Sequence, residues 1–466
     1  MISEELVRQE VSELHQFIEP MVRMCSELRA DYPVFSDESR EFFDHIQKLG
    51  NETLTYLLGA PDRILKDTRL SSTKRQSLLD LRYLWENLHE YLRPALDADS
   101  LHLPNPLIST LHDRIHETDE WHSYRFTLFH TTEANYLQLP MGIVGTVAND
   151  IAALVGGKQF PAGLGHVGMP YSQSDHLFMN CTLGHEMGHF IYQEDVSHDA
   201  ENKIDSALER MEKEIGELGE DEITFCQKLV SSWIQEVFCD LFAICLIGPA
   251  YSFAYSQLVA ASMLIGRPRG VPEEFFRFGT DHPADLSRFR NHRKLLEKLG
   301  WWQIIRNWSS APVQILKTCT SYRSKFALED DLPETVSPNR LLQCYNEVCN
   351  WLIGYVPRRV KGCRDHVADF MVQSPIIAQY LQRAIVPSTI IVRRKVVNPS
   401  PIVLINAGYE FLLEKLPLLL SNIKGESPNS IESRSRMGTR LELWLLKALE
   451  DHRLLVGGAS QNGSPG

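Results

Sequence analysis

Two histidines stand four residues apart, with a glutamate directly after the first, in the stretch CTLGHEMGHFIYQE from Cys181 to Glu194. On a helix, positions i and i+4 share a face with Cβ atoms about 5–6 Å apart, so His185 and His189 can both turn a ring nitrogen toward one metal ion. Glu186 then sits beside a ligand without being one, which is where a general base acting on metal-activated water belongs. The surrounding sequence is apolar, and burying two imidazoles and a carboxylate there without partners would be costly. The alternative is a pair of structural histidines satisfied by neighbours.

A catalytic zinc takes three protein ligands and keeps a fourth position open, so a third ligand has to be found. Six residues past the second His stands Asp195, with Tyr192 where a turning Gly would be needed, so the helix has no reason to bend there. Glu209, and the pair Glu201 and Asp205, lie in the hydrophilic stretch DAENKIDSALERMEKE. Glu236 is the better candidate: in WIQEVFCDLF it shares a helix face with Asp240, and both acids are embedded in apolar sequence. Two like charges on one buried face need a cationic partner. Zinc bound by Glu236 supplies it, with Asp240 accepting the second ring N–H of a ligating His. An Arg or Lys would supply it as well.

With H-E-x-x-H followed by E-x-x-x-D, the chain resembles the gluzincin class of zinc peptidases. The segment DHPADLSRFR adds His282, Pro283 and Arg288. This order is similar to that of zinc endopeptidases related to the CAAX prenyl endopeptidases and the heat-shock membrane proteases. The resemblance covers roughly residues 178 to 292. It implies His185, His189 and Glu236 as ligands of one zinc ion per chain and Glu186 as the base. It also implies Asp240 as a support for a ligating His, His282 as a donor to the oxyanion of a tetrahedral intermediate, and Arg288 as a brace. The implied activity is hydrolysis of peptide bonds in a protein or peptide substrate, with room for a regulatory protein partner. Two other readings stay open. One is a binding or scaffold protein with a structural zinc and a fourth protein ligand such as His166, His176 or Cys181. The other is a non-peptidase H-E-x-x-H hydrolase.

Several elements must position these residues. The expected fold class is α+β, predominantly helical, with a zincin-like core flanked by helical regions. Apolar residues recurring at steps of three and four predict a helical region over 1–118. The catalytic core is expected at 119–295. YRFTLFHTTEANYLQLPMGIVG reads as strands, and GGKQFPAGLGHVGMPYSQSDH as a Gly- and Pro-rich loop region. Both ANYLQLPMG and GLGHVGMPY are candidate strands for laying out a peptide. A charged, solvent-exposed helical insertion is expected at about 195–230. The region 296–455 reads as mainly helical, broken near VPSTIIVRRKVVNPSPIV by a possible strand. KGESPNSIESRSRMG reads as a polar linker, and 456–466 as a disordered tail.

Composition narrows the function classes. The formal charge of −13 argues against nucleic acid, which calls for a concentrated basic surface, and VRRKVV is too short to supply one. Nine cysteines without a C-x-x-C, several inside apolar runs, point to reduced buried thiols and a cytoplasmic setting. The apolar region Val237 to Gly266, interrupted by Asp240 and Pro249, reads as a buried helical pair and not as a membrane span.

Overall fold

The computed structural model describes residues 4–31, 37–60, 71–96, 105–131, 137–139, 141–161, 164–170, 176–215, 220–266, 275, 277–279, 282–321, 325–326, 338–422 and 430–461. The protein is predominantly helical, with small sheets. It forms two compact units, one of Met1–Leu103 with Ser123–Ser174 and the other of Pro104–His122 with Asp175–Gly466. The expected core at 119–295 is therefore divided. Residues 123–174 pack with the N-terminal helices, whereas the motif-bearing segments pack with the C-terminal ones. No boundary falls at 295.

In the first unit, helices α1 (Glu4–Asp31), α2 (Asp37–Leu58) and α3 (Ser71–Leu96) bury stripes written at helical period. Val7, Val11, Leu14, Ile18 and Met21 line α1, and Leu78, Leu81, Trp85, Leu88 and Leu92 line α3. After α4 (Asn105–His116), a member of the second unit, come β1 (Arg125–Thr131), β2 (Leu137–Leu139), α5 (Met141–Val155) and β3 (Leu164–Pro170). The sheet order is β1-β3-β2, with β3 parallel to β1 and antiparallel to β2. GLGHVGMPY thus supplies the central strand, already paired on both sides, and cannot take an added peptide strand. The β2 segment of ANYLQLPMG lies at an edge.

The second unit is built round a helix apolar on every face. A short 3₁₀ turn, Met179–Thr182, leads into α6 (Leu183–Ile191), which carries the two histidines. A π-helical turn, Tyr192–Val196, carries the chain on into α7 (Ser197–Ile215). Next come α8 (Glu220–Ile247) and α9 (Pro249–Gly266), joined at Gly248 with φ of 70°. Ile223–Ile247 is long and apolar enough to cross a membrane by composition, and most of it is buried inside the protein, where it forms the core. The Asn406 side chain ties the α8–α9 corner, accepting from Ala250 N at 2.9 Å and donating to Ile247 O at 2.8 Å. The charged stretch is no free arm: Ala200, Ile204, Ala207 and Leu208 of α7 are buried, and the helix packs on α8.

The rest of the unit runs from β4 (Arg277–Phe278) through α10 (Asp285–Leu299), α11 (Trp302–Ile305) and α12 (Ala311–Thr318) to β5 (Lys325–Phe326). It continues with α13 (Pro338–Arg359) and α14 (His366–Gln382), then the hairpin β6 (Ile390–Val392) and β7 (Lys395–Val397). Helices α15 (Pro401–Glu410), α16 (Leu416–Asn422) and α17 (Ile431–Gln461) complete it. The β-branched run near 390 is thus a hairpin. Two expectations give way here. Helix α17 begins inside the supposed linker, at Ile431, and runs to Gln461, through most of the supposed tail. Both segments are rich in Gly, Ser or charged residues and hold few large apolar ones, so neither shows a helical period in the sequence. Residues 462–466 lie outside the described residues.

Candidate metal centre

Helices α6 and α8 cross closely because α6 presents glycine to α8. A Cβ on Gly188 would lie 3.0 Å from Cys239 Cα and 3.2 Å from Phe242 Cδ1, so any side chain there would push the helices apart. This crossing brings the two imidazoles over Glu236. His185 Nε2 and His189 Nε2 lie 3.1 Å apart, and each lies 3.5 Å from a Glu236 carboxylate oxygen. For four-coordinate zinc with bonds of about 2.0–2.1 Å, neighbouring ligand atoms stand about 3.3–3.4 Å apart. The two imidazole nitrogens stand near that spacing, and the Glu236 carboxylate faces them through separate oxygens, Oε2 toward His185 and Oε1 toward His189.

A second ring of groups fixes these three. Asp240 Oδ1 lies 3.0 Å from His185 Nδ1, one helical turn past Glu236. Arg288, from α10, grips Asp240 with Nε–Oδ2 and Nη2–Oδ1 both 2.7 Å, and its Nη1 lies 3.2 Å from Glu236 Oε2. Its guanidinium stacks on Tyr255, 4.4 Å from the ring centroid, and Tyr255 in turn donates to Asp285. Tyr251 donates to Asp240 and meets His185 Nδ1 at 3.1 Å. His292 Nε2 stands 3.1 Å from Asp240 Oδ2. Gln235 meets His189 Nδ1 with its side-chain amide at 3.0 Å. It also lines an open groove of about 490 Å³ between α7 and α8, with Glu201, Asp205 and Lys228.

The electrostatics follow from burial opposed by these partners. Burial works to raise Glu236 and Asp240, but the Arg288 charge and the contacts from neighbouring histidines together outweigh it, and both stay well below the usual carboxylate range. Burial would lower His185, yet its hydrogen bonds to Asp240 and Glu236 hold it up at about 10. Burial, then the charge on His185, drives His189 down to about 3. Burial raises the Glu186 carboxyl above its ordinary value, although His185 pulls the other way.

Every residue singled out in the sequence for this site, apart from the rejected alternatives, is brought together. His282 comes from a loop held by the bond from Trp233 Nε1 to Gly279 O, at 2.8 Å. Its Nδ1 is 3.5 Å from Glu236 Oε2, and its side chain is 68 % exposed, at the open side of the centre. Glu209 and Glu201 are exposed on α7. Of the candidate fourth ligands, His176 pairs with Glu442 at 3.5 Å, and the Cys181 thiol bonds Leu177 O at 3.6 Å. His166 lies on β3 of the first unit. Sequence reasoning missed Gln235, Tyr251, His292 and Cys239. The Cys239 sulfur lies within 4.8 Å of ring nitrogens of both His185 and His189. His292 carried a legible signal, standing one helical turn after Arg288 on the same face.

In comparison with known proteins, no family model matches the chain, and neither a curated protein nor a solved structure does.

Proposed function

We propose that this chain is a zinc-dependent metalloendopeptidase with a zincin-like centre, in which His185, His189 and Glu236 hold the ion. The observation that carries the reading is the convergence of those three donors at 3.1–3.5 Å, from two helices that a glycine allows to touch. Zinc bound there supplies a Lewis acid and a water of pKa near ~7. With the ion bound, both rings would serve as ligands in their neutral form. His185 then donates Nδ1–H to Asp240, and His189 donates its own to Gln235, whose amide turns its oxygen to the ring. Glu186 takes the proton of the attacking water and returns it to the leaving amine. His282, at the exposed side, donates to the oxygen on which negative charge develops. Arg288 keeps Asp240 and Glu236 ionised and in place. Peptide as the substrate class rests on the order H-E-x-x-H, E-x-x-x-D, H-P-x-x-x-x-R.

Cys239 favours a second reading. If its thiolate joins the three ligands, the ion is closed to water and the protein is a metal-stabilised binding protein. One variant separates chemistry from scaffolding. Glu186→Gln should keep its zinc and its fold and lose turnover of any peptide that the wild type cleaves from a broad library. His282→Ala should keep zinc, leave KM near the wild-type value and lower kcat by roughly 10²–10³. Equal turnover by wild type and Glu186→Gln refutes the enzyme.

A further inference from the structure

The β6–β7 hairpin stands on α14 by one strand face and shows the other to solvent. Ile390 is fully buried, while the neighbouring cross-strand pair Ile391 and Val396 is 59 % and 73 % exposed. The two-residue turn between them is Arg393-Arg394, with φ of 48° and 69°. A turn of this kind favours Asn-Gly, because side-chain-bearing residues adopt positive φ at a cost. Lys395 follows at once. Among the described residues these three exposed cations form no ion pair, in a chain whose formal charge is −13.

The apolar surface continues beyond the hairpin. Ser388, at its base, donates to Asp451 of α17 at 2.6 Å. Leu454 and Leu455 stand three and four residues past Asp451, on the same helix face, and both are exposed, as is Ile385 before the hairpin. Large aliphatic side chains and a cationic tip therefore share one end of the second unit.

We propose that this end docks on an anionic lipid bilayer, with Ile391 and Val396 entering the headgroup region and Arg393, Arg394 and Lys395 pairing lipid phosphates. Charge complementarity argues for an anionic occupant, and guanidinium groups match phosphate geometry in particular. The form of the surface argues for a bilayer over an acidic protein. Its exposed aliphatic pair, Ile391 and Val396, directly flanks the cationic turn, the combination of apolar and basic side chains that interfacial membrane contacts use. The hairpin's outer edges carry unpaired backbone groups, which cannot enter hydrocarbon, so contact stays shallow and interfacial.

Co-sedimentation of the full chain with phosphatidylcholine vesicles, with and without phosphatidylserine, tests the proposal. The wild type should sediment only with vesicles containing phosphatidylserine, and less so as salt rises. Ile391→Ser combined with Val396→Ser should weaken this without changing Tm, since both side chains are exposed. Arg393→Asn combined with Arg394→Gly should weaken partitioning about five-fold per cation removed. The same pair should raise Tm, because Asn-Gly relieves the turn. That opposition of signs excludes unfolding as the cause of lost binding. No sedimentation of the wild type, or equal sedimentation of the variants, overturns the proposal. So does retention of the wild type on immobilised polyglutamate with the vesicles ignored, which would assign the surface to an acidic protein.

Discussion

His185 and His189 share one helix face and one environment, yet their proton affinities separate widely. Burial lowers both and both meet Glu236, but only His185 also meets Asp240, whereas His189 has Gln235 behind it and a charged ring beside it. The same asymmetry tells which residues matter for metal affinity. Glu236→Ala should abolish stoichiometric zinc binding, while Glu209→Ala, on the exposed face of α7, should leave it unchanged. Elemental analysis of chelator-free protein reads both, and zinc loss confined to the Glu209 variant would reverse the assignment of the third ligand. Gln235→Ala should weaken zinc by roughly 10–100-fold, the usual effect of removing a partner of a ligating His, in competition titration against a chromophoric chelator. The residues legible in the sequence were those whose charge conflicts with their setting. Glu236 and Asp240 stand out in an apolar helix, and Arg288 was legible only through the H-P-x-x-x-x-R segment. Gln235 raises no such conflict, and Tyr251 reaches His185 only because the chain reverses at Gly248.

At the scale of elements, the centre depends on how near α6 comes to α8. Gly188 lies inside the H-E-x-x-H motif, at a position the motif leaves free, and the sequence alone gave no reason for glycine there. The structure supplies it: Cys239 backbone occupies the space a side chain would need. Gly188→Ala should therefore force the helices apart by a few tenths of an ångström or more and loosen the three-donor spacing. It should lower Tm, as overpacking typically costs about 1–3 kcal/mol, and weaken zinc affinity together with it. Gly184→Ala, where the nearest atom is Ala243 Cβ at 3.4 Å, should be milder on both measures. Zinc affinity unchanged in Gly188→Ala would show that the helix spacing does not set the site. Helix types and the metal-bearing pair were legible because periodicity and embedded acids are local features. The burial of α7 was not, since its apolar residues Ile204, Ala207 and Leu208 are outnumbered by charges until α8 and α13 cover them. Nor was the hairpin turn, whose Arg-Arg sequence departs from the residues that such turns prefer.

Over the whole molecule, the least legible feature is the division of the chain. Residues 104–122 leave the N-terminal helices for the second unit, and 123–174 return to the first. Apolar pattern shows that α4 and β1 each have a face to bury but not which neighbour covers it. The C-terminal third, which matched nothing recognisable in sequence, holds the entry to the metal helix: Tyr409 donates to Phe178 O at 2.9 Å, and Glu442 accepts from Phe178 N at 3.4 Å. All nine cysteines are buried and free, and one of them, Cys239, is placed where it could decide between an enzyme and a scaffold. The most direct test is therefore zinc K-edge X-ray absorption on the full chain loaded with one equivalent of zinc. An open centre of His185, His189 and Glu236 predicts a shell of nitrogen and oxygen alone, at about 2.0–2.1 Å. A sulfur scatterer at about 2.3 Å, lost in Cys239→Ser, would mean that the thiolate closes the ion to water, and would contradict the peptidase.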